Sequence, residues 1–265
     1  MKRLATAAVL IPLFVWIIVF APFDVFRFAL VIVGALAYYE FWEIARGEAA
    51  SETTLKGTGR ERGLSLLAAG TAGIVLLYGP DPGLFAVLIG MAGMALALRS
   101  PELKDALPTA ALLTLGVLYI FGAWRFAAEI RLISPHWLML AMLLSWVGDT
   151  FAYYTGKAIG RHKMAPRVSP AKTWEGAAGS VVGAVLAGFV YGHYLIPNAP
   201  VMEVLVASAI GNCAGQVGDL CESAFKRGAG VKDSGTLLPG HGGWLDRIDS
   251  TLFTLPVFYA CLRFY

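Results

Sequence analysis

Apolar stretches of about 17 to 25 residues, long enough to cross a bilayer as a helix, recur along almost the whole chain. They lie near 4–22, 25–45, 63–79, 83–98, 107–124, 137–156, 176–196, 201–225 and 248–264. This pattern predicts an all-α fold, a polytopic transmembrane helix bundle of about nine spans. Several connections are tight turns, such as Gly79-Pro80-Asp81-Pro82-Gly83 and Pro197-Asn198-Ala199-Pro200. The two longest polar connections of the second half, 157–175 and 226–247, are different in kind, because both concentrate charge.

The apolar pattern is broken in three places. Asn212, Gln216, Asp219 and Ser223 recur at spacings of 4, 3 and 4, which draws one polar stripe along a helix. Ser145, Asp149 and Tyr153, at successive fourth positions, draw a second. A carboxylate at membrane depth is costly unless it faces a partner, an ion or water, so Asp149 and Asp219 are candidate functional groups. For Ser145, Asn212, Gln216 and Ser223, interhelical hydrogen bonding is an equal reading. The third break opens the last stretch, where Asp246 and Asp249 share a face near a helix N-terminus whose dipole favours negative charge. Capping accounts for one of them. Both together, with Asp219 on the preceding helix, are better explained as hard oxygen ligands for Mg²⁺ working with phosphates.

Composition supports the membrane class: 57% of residues are hydrophobic, 15% are charged and the mean hydropathy is +0.66, far from a soluble domain. A net charge of +3, with no tract of basic residues alternating with aromatics, excludes a nucleic-acid groove. The three cysteines, Cys213, Cys221 and Cys261, read as packing residues. The first stretch has a basic start like a signal peptide, but its long apolar run and the spans that follow predict that it is retained. With the N-terminus inside, seventeen of the 21 Lys and Arg residues fall on inner connections and only Arg27, Arg125, Arg131 and Arg263 on outer ones. The positive-inside rule therefore places the N-terminus and the block from Lys226 to Asp249 on the cytoplasmic side.

Residues 1–130 are assigned to packing, lipid contact and subunit association, although Glu40 and Glu43 interrupt the second stretch. Residues 131–265 form the expected catalytic region. In its polar block, Lys226, Arg227 and Lys232 stand among Gly228, Gly230, Gly235, Gly240, Gly242 and Gly243, a mixture that suits phosphate oxygens. His241 is a candidate hydrogen-bond donor to phosphate or a turn residue; the four histidines lack zinc-site spacing. The other connection carries Lys157, Arg161, His162, Lys163 and Arg167, followed by Ser169, Lys172, Thr173 and Glu175; for the Arg161 to Arg167 cluster the alternative reading is a clamp on anionic lipid headgroups.

These motifs resemble the phosphatidate cytidylyltransferase, or CDP-diacylglycerol synthase, family. The resemblance rests on Ser223-Ala224-Phe225-Lys226-Arg227, Lys232-Asp233-Ser234-Gly235, and Leu238-Pro239-Gly240-His241-Gly242-Gly243-Trp244-Leu245-Asp246-Arg247-Ile248-Asp249. Asp149-Thr150-Phe151-Ala152-Tyr153 with Gly156-Lys157, and Ser169-Pro170 with Lys172-Thr173 and Glu175-Gly176, are also similar to family motifs. The resemblance implies transfer of CMP from CTP to phosphatidic acid, a Mg²⁺ requirement with K⁺ as a second metal, a homodimer, and a bacterial inner-membrane location. It implies catalytic roles for Lys226, Arg227, Lys232, His241 and Asp246, substrate contacts for Asp149, Ser169, Lys172, Thr173, Glu175 and Ser223, and metal binding by Asp219, Asp246 and Asp249.

Two other classes compete. A CTP-dependent lipid kinase has a similar glycine-rich loop, but the His241 to Asp249 run favours nucleotidyl transfer. A transporter also carries intramembrane acids, but here the polar residues gather at one face and no inverted repeat is evident.

Overall fold

A computed structural model describes residues 2–45, 59–100, 102–237 and 242–264. His241 lies outside the described residues, as does most of the polar segment after α2. Among the described residues the chain is almost wholly helical. The helices are α1 (Lys2–Val19), α2 (Phe23–Ala45), α3 (Gly59–Tyr78), α4 (Pro82–Ala97), α5 (Ala106–Val117), α6 (Ala123–Ile133), α7 (Pro135–Ile159), α8 (Trp174–Leu195), α9 (Val201–Gly228) and α10 (Asp249–Phe264).

Each apolar stretch of the sequence falls on a helix. Among the described residues, four helical segments are long and apolar enough to cross a membrane: Phe23–Ala45, Leu103–Ile133, Trp174–Leu195 and Val201–Gly228. The second of these is α5 and α6 joined by a π-helical turn, Leu118–Gly122. The all-α expectation has one exception: residues expected to form a loop fold into a small antiparallel hairpin, β1 (Lys163–Ala165) and β2 (Ser169–Thr173), with Lys163 opposite Thr173.

Helix starts follow local chemistry. Asp81 caps α4 by accepting from the Leu84 amide at 3.0 Å, and Ser134 caps α7 through the His136 amide at 3.2 Å. In both cases proline follows the cap, where a missing N–H costs nothing.

The helices gather into two compact units. The first comprises residues 1–6, 22–125 and 225–246. Its core is aromatic: Phe121, fully buried on the π-helical turn, packs where a side chain at Gly34 or Gly73 would otherwise sit, and Gly116 lies against Tyr38 and Phe41. Arg125 donates to the carbonyl of Gly79 at 2.7 Å and Arg27 to that of Leu77 at 3.0 Å, with the Arg27 guanidinium 3.6 Å from the Tyr78 ring centroid. These arginines satisfy carbonyls that the end of α3 leaves open.

The second unit comprises residues 7–21, 126–224 and 247–265. Here α7 and α8 pack closely along a row of small residues: Gly176 faces the Ala152 carbonyl, Gly179 faces Thr155 and Gly183 faces Phe151. Further along α8, Gly188 faces Ser208 of α9. On α9, Gly211, Gly215 and Gly218 admit Phe258, Thr254 and Phe253 of α10. The glycines thus bring four polar-bearing helices, α7 to α10, to short separations. Arg131 closes the end of α1, donating to the carbonyls of Ile18, at 2.7 Å, and Ala21.

Candidate active site

The second unit encloses a cavity of about 340 Å³. Asp149, Tyr153 and Lys157 reach it from α7, Lys172 from β2, and Asn212, Gln216 and Asp219 from α9. Ser145, Asp149 and Tyr153, expected on one helix face, do share it, and all three line this cavity.

The stripe on α9 divides by role. Its inner part is structural: the Asn212 amide donates to the Leu144 carbonyl at 3.2 Å, and Gln216 donates to Asn212 at 2.8 Å and to the Ala177 carbonyl at 3.2 Å. The next member, Asp219, is ion-paired through Oδ2 with Lys172 Nζ at 2.5 Å and accepts from the Ser223 hydroxyl through Oδ1 at 3.3 Å. The basic partner that α9 itself does not offer thus comes from the hairpin. Asp149 lies within electrostatic range of Asp219, Lys172 and Arg247, and Asp249 within range of Asp219 and Glu222. Carboxylates on three helices therefore share one neighbourhood.

The hairpin is what delivers Lys172. Thr173 is buried and caps α8, its hydroxyl accepting from the Gly176 amide at 3.1 Å. Glu175 closes the base of the hairpin, accepting from the backbone amide of Arg161 at 3.1 Å and lying 2.6 Å from a ring nitrogen of His162. Ser169 sits at the start of β2, paired with Ala165 and away from the cavity lining. Of the six residues expected near substrate, Asp149, Lys172 and Thr173 reach the cavity lining; Ser169 lies in the hairpin that carries Lys172, Glu175 at the start of α8 against the hairpin's base, and Ser223 on α9 beside Asp219.

In the first unit, Lys226 and Asp246 are brought together. Lys226 Nζ lies 2.5 Å from Asp246 Oδ1, while Oδ2 accepts the amides of Ser234 at 3.0 Å and Gly243 at 2.9 Å. Burial pushes the Asp246 carboxyl up, but the Lys226 ammonium and the two amides outweigh it and hold the group below its ordinary range. The end of α9 is shaped by Gly230, whose φ of 74° allows the Val231 amide to turn back onto the Lys226 carbonyl at 2.9 Å. Gly242, at φ 80°, makes the second left-handed turn before Asp246. Arg227 is exposed and donates to the Val231 carbonyl at 3.1 Å, and Lys232 is exposed.

Two residues that the sequence reading left without a role hold this loop. Glu40 of α2 is buried, and its Oε2 accepts the Ser234 hydroxyl and the Leu245 amide, each at 2.8 Å. Ser234 Oγ in turn accepts the Asp246 amide at 3.2 Å. Among the described residues no three His, Cys, Asp or Glu side chains are arranged to hold a metal ion. Asp219 and Asp246 each have a lysine ammonium against a carboxylate oxygen instead.

Helices long and apolar enough to cross a membrane, with a lysine paired to a carboxylate in a cavity of the second unit, are the features of an integral membrane protein. The chain belongs to the Cytidylyltransferase family, which it matches over residues 1–265. It is 40% identical over 148 residues to a phosphatidate cytidylyltransferase of Staphylococcus saprophyticus, a match covering 56% of this chain and 57% of that protein. Phosphatidate cytidylyltransferases of Staphylococcus aureus and Bacillus subtilis are 42% identical over 148 residues and 38% identical over 156. The matches cover 56% and 58% of this chain, and 57% and 58% of those proteins. The chain thus spans a little over half the length of each of these relatives.

Proposed function

We propose that this protein transfers CMP from CTP to phosphatidic acid, releasing pyrophosphate and leaving CDP-diacylglycerol in the membrane. The observation that carries the reading is the cavity in which Lys172 neutralises Asp219 beside Asp149, with family membership over the whole chain as its context. A phosphatidate oxygen attacks the α-phosphorus of CTP, and the bond from that phosphorus to the bridging oxygen of the β-phosphate breaks. The nucleophile is already anionic, so no strong general base is needed and the main barrier is bringing two anions together.

The chain's own residues answer that barrier by exchanging partners. In the second unit Lys172 is held by Asp219, and in the first Lys226 by Asp246, until phosphate arrives and each ammonium group turns to phosphate oxygens; the exposed Arg227 and Lys232 are assigned to phosphate on their motif positions. The carboxylates so released are the groups that would hold Mg²⁺. We assign this role to Asp219 and Asp249, within electrostatic range of each other, and on sequence grounds to Asp246. Held there, Mg²⁺, with K⁺ as a second ion, would supply positive charge to offset that of the phosphates. Ser223 steadies Asp219, while Thr173, Glu175 and Ser169 set the hairpin that carries Lys172. His241 is assigned to phosphate on its motif position alone.

We further propose about nine spans with the N-terminus and both polar connections in the cytoplasm of a bacterial inner membrane, and a homodimer. The charge bias of the connections and the nine helical stretches support the topology.

Incubation with α-labelled CTP, phosphatidate and Mg²⁺ tests the reaction. Label in the lipid fraction is the expected result. Transfer from γ-labelled CTP alone would instead identify a lipid kinase.

A further inference from the structure

Glu40 is a carboxylate on a helix whose sequence otherwise suggests only packing, and it is 1% exposed. Its Oε2 accepts two hydrogen bonds from residues about 200 positions away: the Ser234 hydroxyl and the Leu245 amide, both at 2.8 Å. These two donors bracket the glycine loop. Ser234 also binds Asp246 in both directions, donating its amide to Oδ2 and accepting the Asp246 amide on Oγ. Leu245 immediately precedes Asp246 and is itself fully buried.

The loop is shaped around this carboxylate. A methyl group added at Gly235 would come within 2.5 Å of Glu40 Oε1, and one added at Gly243 within 2.5 Å of Oε2. Glu40 Oε1 is buried and has no hydrogen-bond partner among the described residues. Burying a carboxylate with one oxygen unanswered is expensive, and a glutamine or an apolar residue at this position of α2 would be buried at lower cost. The arrangement is explained if the charge is needed to fix the loop.

We propose that Glu40 is a positioning residue for the reaction. It acts through Ser234 and Leu245 to hold Asp246, and with it the Lys226 ammonium, at a fixed place. The proposal rests on the roles assigned above to Asp246 and Lys226, and its test has an arm independent of activity. In the full chain, Glu40→Gln keeps size and shape but replaces the two charge-assisted acceptor contacts with weaker ones.

Amide hydrogen exchange at Ser234, Gly243 and Leu245 is expected to accelerate about tenfold or more, with exchange along α7 and α8 unchanged. The turnover number for CMP transfer is expected to fall about tenfold with KM for CTP much less affected, and Glu40→Asp to lie between wild type and Glu40→Gln. If Glu40→Gln does not fold, Ser234→Ala removes the hydroxyl relay and leaves Leu245 on Glu40. Faster exchange at the Asp246 amide is then expected.

Wild-type exchange at these amides in the folded variants would overturn the proposal. So would wild-type turnover alongside faster exchange. A wild-type chain that transfers no CMP would overturn the functional reading alone, while the exchange arm still decides whether Glu40 holds the loop.

Discussion

Asp246 uses both carboxylate oxygens, one for the Lys226 ammonium and one for the amides of Ser234 and Gly243. Replacing it by asparagine puts an NH₂ donor against other donors and removes the charge that holds Lys226. CMP transfer is expected to fall at least about 100-fold in Asp246→Asn, while circular dichroism in detergent stays that of the folded chain. Near wild-type turnover would remove Asp246 from the site. Its depressed pKa also sets a pH window. A carboxyl that is more acidic folded than unfolded contributes stability above its unfolded value, about 4, and loses it as pH falls through the lower folded value. Amide protection of Ser234 and Gly243, corrected for the intrinsic pH dependence of exchange, should therefore be flat from about pH 7 to 5 and decline only below about 4. Lys172 answers Asp219 in the same manner, so Lys172→Met leaves that carboxylate without its ion pair. Binding of a non-hydrolysable CTP analogue, read by calorimetry, should weaken about tenfold or more.

At the scale of elements, the hairpin and the α7–α8 pair carry the site. Thr173 ends β2 and caps α8, so one hydroxyl couples the strand that bears Lys172 to the helix behind it. Thr173→Val removes the cap at nearly constant volume and should cost about 1 kcal/mol, seen as a lower thermal midpoint in detergent. Gly183 lies against Phe151, and a valine there has no room. Gly183→Val should cost about 1–3 kcal/mol by the same measurement and spread α7 from α8, deforming a cavity that both helices line. An unchanged midpoint would show that the helices have slack at this crossing. The row of small residues on α8 could have served packing within one chain or between chains; the faces of Gly176, Gly179 and Gly183 toward α7 assign it to packing within the chain.

For the molecule as a whole, orientation is the property on which the proposed chemistry depends, because CTP must arrive from the cytoplasm. In a chain with Cys213, Cys221 and Cys261 replaced, Arg167→Cys in the hairpin turn should react with a membrane-impermeant maleimide only in inside-out vesicles, and Asn198→Cys only in right-side-out ones. The opposite pattern would invert the topology. Three of the arginines counted to the outer side need no inward field to explain them, since Arg27, Arg125 and Arg131 are each bound to carbonyls near helix ends.

Hydropathy alone was enough to place the helices, because an apolar run of spanning length has few stable structures other than a helix. The carboxylates Asp149 and Asp219 were legible for the same reason: charge at such depth stands out against its surroundings. Partners were not legible. Nothing in the spacing of Lys172 and Asp219 shows that a hairpin brings one to the other, since their ion pair joins positions 47 apart. Ser169, Thr173 and Glu175 carried a motif, yet only the fold showed that two of them build the hairpin and its base while Thr173 also caps α8. Glu40 met the same rule that singled out Asp149, but its meaning depends on Ser234 and Leu245, about 200 residues further on. The sequence by itself determined a helical membrane chain and the kinds of charge at its site, because burial of charge is a local cost. Which carboxylate meets which ammonium, and which glycine must stay small, was decided only by tertiary structure, because those contacts join segments that the chain order keeps apart.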